Sequence, residues 1–288
     1  MSPGPYGALL DAVRGVRWPA ARRVAGATLG AHPSRLRGNS SEFSEFRLYR
    51  QGDDPRRVDW RLLARSDRAY VRLTTDRATL RTAIVVDASA SMGFPLPHLT
   101  KWVRAREIAV ALAAVAHAEG DPVGMTIAAE RKLLLAPRAR RSVLVEMIRA
   151  LDGTAPSGAT PLASLLASAR APRIAVITDL LGDRDEILAA AKLRIAGGGE
   201  VIVVHLVDPE ELDPPDGALL AVDPERESVR RSLDRATRVE YRRALAAWLE
   251  ETASSLRAAQ VRYFRAQTTE PAAHVVRRVT GETGVRAR

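Results

Sequence analysis

From residue 82 onward the chain alternates short apolar runs with longer helical segments. The runs are predicted to be buried strands because they are apolar at consecutive positions. They are TAIVVD (82–87), PVGMTIA (122–128), RIAVIT (173–178), EVIVVHL (200–206) and VRYFRA (261–266). The predicted helices between them span 101–119, 140–151, 161–170, 184–196 and 234–259. This alternation predicts an α/β fold with a doubly wound, mostly parallel sheet covered by helices on both faces.

Two connections depart from the alternation. PVGMTIA is followed almost at once by RKLLL (131–135), and so short a link favours a hairpin, which predicts one antiparallel edge strand. The stretch ALLAVDPERESVRRSL predicts a hairpin inserted near 218–233, with its turn at Asp223–Pro224. The α/β domain as a whole is expected to occupy residues 81–288.

The part of the chain before the α/β domain has a different composition. Residues 1–36 are rich in Pro, Gly and Arg and predict a loosely structured lead-in. Residues 37–80 contain period-two pieces around the turn-rich QGDDPRRVDW, which predicts a small strand-and-turn subdomain.

Polar side chains follow two of the predicted strands. Asp87, Ser89 and Ser91 come directly after the first strand at alternate positions, and Asp179 follows the strand RIAVIT. Thr160 precedes a predicted helix in the stretch PSGATPL. Because ligands of open α/β sheets gather beyond the carboxyl ends of the strands, we expect these five side chains to converge.

The five side chains supply oxygen atoms, which hard divalent cations prefer, and the set predicts a site for Mg²⁺, with Mn²⁺ and Ca²⁺ as alternatives. Two carboxylates roughly balance the charge of the ion, and the neutral hydroxyls leave it able to accept a carboxylate from a partner. Each residue has an ordinary alternative as a polar strand end or turn residue. Thr160 in particular suits a helix N-cap before Pro161.

The motif Asp87-x-Ser89-x-Ser91 with Thr160 and Asp179 resembles the metal-ion-dependent adhesion site of von Willebrand factor A domains in composition, order and sheet context. The resemblance covers about residues 80–268. It implies a von Willebrand factor A-like fold with Mg²⁺ at the carboxyl edge of the sheet.

The stretch GNSSEFSEFRLYRQGDDPRRVDWRLLARSDRAYVR (38–72) resembles the signature of the bacterial family of unknown function numbered fifty-eight. Members of that family carry such an A domain and are commonly encoded beside MoxR-type AAA ATPases, which implies an ATPase partner. The positions that match the signature are Glu42, Phe43, Arg47, Tyr49, Gly52, Asp53, Asp54, Arg56, Asp59, Trp60 and Arg65.

Two explanations of this stretch stay open. Ion pairs within the subdomain are the ordinary explanation for its mixed charges. The alternative is a docking surface for the ATPase, with Tyr49 and Trp60 as aromatic anchors. The candidate partner-binding residues are Tyr49, Asp53, Asp54, Arg56, Asp59 and Trp60.

The sequence lacks the motifs of several classes of enzyme. The sequence contains no G-x-x-x-x-G-K-[ST] loop, no G-x-G-x-x-G turn and no cysteine. Ser89 stands where a phosphatase with an aspartyl nucleophile would need its second Asp. We therefore predict a non-enzymatic, metal-dependent adaptor that works with a MoxR-type ATPase in assembly or remodelling of client proteins. Metal-dependent hydrolysis at the same site is the alternative.

The charge distribution bears on partners and location. The formal net charge is +10, and residues 1–81 hold 16 Arg against 8 acidic residues. These arginines alternate with acidic and apolar positions, so nucleic-acid binding is the weakest of the three hypotheses. No stretch reaches the roughly 18 consecutive apolar residues of a membrane span. With the absence of cysteine, this predicts a cytoplasmic protein.

Overall fold

The computed structural model describes residues 5–21, 29–33, 43–51, 53–74, 77–159, 161–182, 184–215, 220–222, 230–232 and 235–281. The helices within these ranges are α1 (Gly7–Ala12), α2 (Trp60–Ser66), α3 (Thr100–Ala118), α4 (Val143–Asp152), α5 (Leu162–Ser168), α6 (Arg184–Ala196), α7 (Pro209–Leu212), α8 (Arg235–Ala258) and α9 (Ala272–Thr280). The strands are β1 (Leu29–Pro33), β2 (Phe43–Leu48), β3 (Tyr70–Thr74), β4 (Arg77–Ala78), β5 (Thr82–Asp87), β6 (Val123–Ala128), β7 (Leu133–Arg138), β8 (Arg173–Thr178), β9 (Glu200–Val207), β10 (Leu220–Val222), β11 (Arg230–Ser232) and β12 (Arg262–Gln267).

The chain divides into two compact units, one formed by Pro19–Leu80 and the other by Met1–Trp18 together with Arg81–Arg288. Within the first unit, β2 pairs with β3 and β1 pairs with β4, both antiparallel. Helix α2 begins at Trp60 because the Asp59 side chain accepts hydrogen bonds from the first backbone N–H groups. The strand-rich N-terminal subdomain is confirmed.

The second unit is built around a sheet whose described strands run in the order β12-β9-β8-β5-β6-β7. All neighbours are parallel except β6 and β7, which form the predicted antiparallel hairpin. Gly124 permits this hairpin, since a Cβ there would lie 2.8 Å from the Leu135 carbonyl oxygen. The predicted α/β fold, a mostly parallel sheet with one antiparallel edge strand, is confirmed.

Helices cover both faces of the sheet, which explains why the strands are apolar at consecutive positions. On one face, α3 packs against α9, α4 and α1 over residues such as Ile84 and Val86. On the other face, α5, α6 and α8 cover residues such as Val85. Each strand therefore buries apolar side chains on both of its sides, and the candidate functional side chains lie at the carboxyl ends of the strands.

The start of the chain differs from the predicted lead-in over 1–36. Tyr6, Val13, Val16 and Trp18 are buried in the same hydrophobic cluster as α3. The Trp18 ring lies 4.4 Å from the Arg173 guanidinium, which also donates a hydrogen bond of 3.0 Å to the Trp18 carbonyl oxygen. Residues 5–18 thus belong to the α/β unit, because their apolar side chains and this aromatic ring cover surface that would otherwise face water.

Three further elements qualify the sequence prediction. Helices α7 and α9 lie in stretches with no predicted helix. Strands β10 and β11 pair antiparallel inside the predicted insertion near 218–233, whereas its predicted turn, Asp223–Pro224, lies outside the described residues.

Among the described helices, none combines the length and the apolar character needed to cross a membrane.

Candidate metal centre

The carboxyl ends of two neighbouring strands bring the predicted residues together. Strands β5 and β8 are adjacent and parallel, with Val86 opposite Ile177. Asp87 therefore ends β5 beside Thr178, the last residue of β8, and Asp179 follows directly. Both aspartates are buried.

The loop after β5 folds back on the Asp87 carboxylate. The Ser89 backbone N–H donates to Asp87 Oδ1 over 2.9 Å, and residues Ala90–Gly93 form a 3₁₀ turn. This turn places Ser89 Oγ and Ser91 Oγ 3.0 Å apart, with both side chains buried. The alternate spacing of the motif thus puts its two hydroxyls side by side.

Thr160 lies outside the described residues, and its predicted role as a ligand stays a prediction. The segment just before it is held against the loop that follows β5. The Ser157 N–H donates to the Ala88 carbonyl oxygen and the Ala90 N–H donates to the Gly158 carbonyl oxygen, each over 2.8 Å.

Thr178 completes the hydrogen bonding of Asp87. Its hydroxyl donates to Asp87 Oδ2 over 2.7 Å and accepts the Leu180 N–H over 3.0 Å. Burial, followed by the negative charge of Asp179, raises the pKa of Asp87 to about 6. A buried carboxylate pair of this kind attracts a cation, because a positive charge would offset both effects.

The Asp179 carboxylate already has a cationic neighbour. Asp179 Oδ1 accepts the Leu181 N–H over 3.1 Å, and Oδ2 accepts a hydrogen bond of 2.7 Å from Lys101 Nζ on α3. The same ammonium donates to Glu211 Oε1 over 2.6 Å. Burial alone would lower the pKa of Lys101, but the two carboxylates outweigh it and hold the pKa above its ordinary value.

Sequence reasoning missed Thr178, Lys101 and Glu211. The signal for Thr178 was its place at the end of a strand, next to the predicted ligand Asp179. The sequence signal for Lys101 is weaker. Lys101 is a charged residue beside Trp102 in the first turn of α3, and the other buried residues of this helix are apolar. No local pattern marks Glu211, which lies on the short helix α7 that was not predicted.

The donor set fits a hard divalent cation. The described residues contain no cluster of three or more His, Cys, Asp or Glu side chains arranged to hold an ion. The candidate donor set instead consists of two carboxylates and two serine hydroxyls. Adjacent ligands of an octahedral ion with bonds of about 2.1 Å lie about 3.0 Å apart. The Ser89 and Ser91 oxygens have this separation. Asp87 and Asp179 keep further lone pairs, because each of their oxygens can accept more than one bond.

The acidic residues of the predicted partner-binding set have local structural roles. Asp53 accepts a hydrogen bond of 2.7 Å from Arg47, Asp54 accepts the Arg56 N–H over 3.0 Å, and Asp59 caps α2. These contacts agree with the ordinary explanation of the mixed charges.

The two aromatic residues of that set are exposed. Trp60 is 64% exposed and Tyr49 is 38% exposed, and both lie in the unit Pro19–Leu80. Phe46 and Leu48 of β2 are exposed as well. An apolar surface of this kind keeps the docking explanation open.

Comparisons with known proteins give a family, a relative and two similar solved structures. The family model "Protein of unknown function DUF58" matches residues 45–251. An uncharacterized protein of Mycobacterium tuberculosis (strain ATCC 25618 / H37Rv) is 32% identical over 265 residues, which cover 86% of this chain and 81% of the relative.

Two solved structures are similar at lower identity. The conserved hypothetical protein BatB from Bacteroides thetaiotaomicron gives a TM-score of 0.46 at 19% identity, over 70% of this chain and 98% of its own. The manganese-loaded TRAP protein of Plasmodium vivax gives 0.35 at 14% identity, over 44% and 57%.

Proposed function

The chain belongs to the family described as proteins of unknown function DUF58, and we propose that it is a non-enzymatic adaptor that binds proteins through a divalent metal ion, Mg²⁺ in the first place. Mn²⁺ and Ca²⁺ are the alternatives to Mg²⁺. The observation that carries this proposal is the buried oxygen cluster of Asp87, Ser89, Ser91 and Asp179 at the ends of β5 and β8.

The residues of the cluster have distinct parts in the proposal. Asp87, Ser89 and Ser91 would hold the ion, and Thr160 is a further proposed ligand. Asp179, also a predicted ligand, would contribute negative charge from the neighbouring strand. The bound ion would supply positive charge to a carboxylate from outside, because two neutral hydroxyls leave much of its charge uncompensated. The partner is therefore a protein that presents an Asp or Glu side chain.

We propose that a MoxR-type AAA ATPase docks on the exposed aromatic residues Trp60 and Tyr49. These residues lie apart from the oxygen cluster in sequence and belong to a different unit. The ATPase and an acidic client would then bind residues of different units. This arrangement suits a role in the assembly or remodelling of clients, and in the cytoplasm, where ATP is at hand.

Metal-dependent hydrolysis at the same residues is the alternative function. It would need a general base beside the ion. The buried His205 at the carboxyl end of β9 is hydrogen-bonded to the Tyr263 hydroxyl over 2.8 Å and packs against the Trp248 ring. Burial lowers its pKa to about 4. These contacts give His205 a structural role and favour the binding function.

Nucleic-acid binding through the arginine-rich part has less support. Arg47 is paired with Asp53 and Arg14 with Asp11, which leaves these arginines less charge to offer to phosphates.

A pull-down with a MoxR-type AAA ATPase tests the adaptor function. We expect wild type to retain the ATPase and the double variant Trp60→Ala/Tyr49→Ala to lose at least about tenfold in retention. Leu193→Ala is the matched control, because Leu193 is a 73% exposed apolar residue of the other unit. Equal retention by all three proteins would contradict the docking surface.

A second pull-down, with this protein as bait in cell extract, tests for metal-dependent clients. It is run once with Mg²⁺ and once with chelator. We expect client proteins to be retained with Mg²⁺ and released by chelator. Retention that chelator does not change would contradict the metal-dependent role.

A further inference from the structure

Lys101 is a buried lysine that touches the candidate metal centre. Its side chain is 0% exposed, and its Nζ lies 2.7 Å from Asp179 Oδ2 and 2.6 Å from Glu211 Oε1. A charge in such a place is stable only when it is paired. The two carboxylates provide this pairing, and one of them is a residue of the oxygen cluster.

The choice of lysine is unusual for this chain. Of its 44 basic residues only three are lysine, namely Lys101, Lys132 and Lys192. A compact ammonium can lie between two carboxylates, whereas the planar guanidinium of arginine requires a wider, forked arrangement. The two short contacts that a single Nζ makes with Asp179 and Glu211 suit a lysine at this position.

The surroundings of Lys101 hold the ammonium in place. Glu211 is itself fixed, because its Oε2 accepts the Asp208 N–H over 2.7 Å in a capping box at α7. The Tyr241 hydroxyl of α8 donates to the Glu211 carbonyl oxygen over 2.9 Å. The ring of Phe94, just after the serine loop, lies 5.8 Å from Lys101 Nζ. These contacts hold Glu211 in the position in which it pairs with Lys101.

The net charge of the side chains around Lys101 would balance a divalent ion beside the ammonium. Asp87, Asp179 and Glu211 carry three negative charges when ionised, and Lys101 carries one positive charge, which gives a sum of −2. The ammonium and an ion would nevertheless compete for one carboxylate, because the cationic Lys101 already donates to Asp179 Oδ2, whereas the Ser89 N–H and the Thr178 hydroxyl that donate to Asp87 are neutral.

We propose that Lys101 is a positioning residue that ties Asp179 to Glu211 and so restrains Asp179 from binding the ion directly. This inference rests on the proposed metal-binding function. With Asp179 restrained, Asp87 and the serine hydroxyls would hold the ion, and Asp179 would contribute its negative charge without direct contact. The affinity for the ion alone would then be low, and a carboxylate from a partner would raise it. Ion and acidic partner would bind together.

Calorimetric titration with Mn²⁺, repeated with Mg²⁺, tests the role of Lys101 in the full chain. The double variant Lys101→Met/Glu211→Gln removes one charge of each sign, so the sum of −2 around the site is unchanged. We expect it to bind Mn²⁺ at least about tenfold more tightly than wild type, because the ammonium no longer opposes the ion at Asp179. Lys192→Met, which removes an exposed lysine on α6, should bind as wild type does.

Affinity of the folded double variant within twofold of wild type, or weaker, would overturn the role of Lys101 while leaving the metal site in place. If none of the proteins binds either ion, the metal site and the role of Lys101 both fail.

A second variant covers the case in which the double variant does not fold. Glu211→Gln leaves the ammonium on Asp179 alone, so we expect Mn²⁺ binding several-fold weaker than in wild type. Binding as tight as in wild type, or tighter, would overturn the proposal.

Discussion

The hydroxyl of Thr178 donates a hydrogen bond of 2.7 Å to Asp87 Oδ2 across two neighbouring strands. It fixes the orientation of the carboxylate that the proposed ion would need most. Because the same hydroxyl accepts the Leu180 N–H, it also aligns the start of the loop that carries Asp179. Thr178 thus links the two halves of the candidate metal centre without being a proposed ligand.

Thr178→Val should weaken metal binding about 10-fold to 100-fold, the usual effect of losing a group that orients a ligand. It should also lower the free energy of unfolding by about 1–3 kcal/mol, since Asp87 Oδ2 loses a buried donor. Calorimetry and urea denaturation measure the two effects. Thr280→Val is the control, because Thr280 is a buried threonine whose hydroxyl bonds within α9. A metal affinity lowered equally by both substitutions would contradict the orienting role.

Trp18→Ala should destabilise the α/β unit by about 3–5 kcal/mol, the typical cost of truncating a large aromatic core residue. Trp18 is fully buried and covers the guanidinium of Arg173, which is buried too. Trp60→Ala is the matched control, and its 64% exposure predicts a change within about 0.5 kcal/mol. Urea denaturation compares the two variants. Similar small effects would show that residues 5–18 are not part of the core.

Tyr6 predicts a specific loss of stability in alkali. Burial raises the pKa of Tyr6 to about 12, and its hydroxyl donates to Asp152 Oδ1 over 3.1 Å. An unfolded tyrosine ionises near pH 10. The unfolded state therefore loses its proton first, and the stability that Tyr6 contributes is present below pH 10 and is lost as the pH rises toward 12.

Tyr6→Phe removes this titration. We expect the free energy of unfolding of the variant to fall less steeply than that of wild type between pH 9 and pH 11.5, measured by urea denaturation at several pH values. Parallel curves for the two proteins would contradict a buried Tyr6 hydroxyl.

The strands and most helices of the α/β unit could be predicted because their signal is local. Strand β5 is apolar at consecutive positions, and the structure begins and ends it where the sequence predicts, at Thr82 and Asp87. The same holds for β8. Asp87 and Asp179 could be placed near each other because parallel strands end at one edge of the sheet.

The contacts around Lys101 could not be predicted in this way. They join Lys101 to residues 78 and 110 positions later in the chain. A lysine in the first turn of a helix ordinarily indicates a solvated position, and its burial follows from two carboxylates that only the fold brings to it. Trp18 is a similar case, since its partner Arg173 lies 155 positions away. Composition alone therefore predicted a loose lead-in where the structure has a packed segment.

Calorimetric titration of wild type and Asp87→Asn with Mg²⁺ and Mn²⁺ tests the metal site most directly. Asp185→Asn is the control, because its side chain on α6 is 79% exposed and is not a predicted ligand. We expect saturable binding of one ion by wild type and by the control, and binding at least about 100-fold weaker in Asp87→Asn. Equal binding by wild type and Asp87→Asn, or no binding by wild type, would contradict the metal site and the adaptor function built on it.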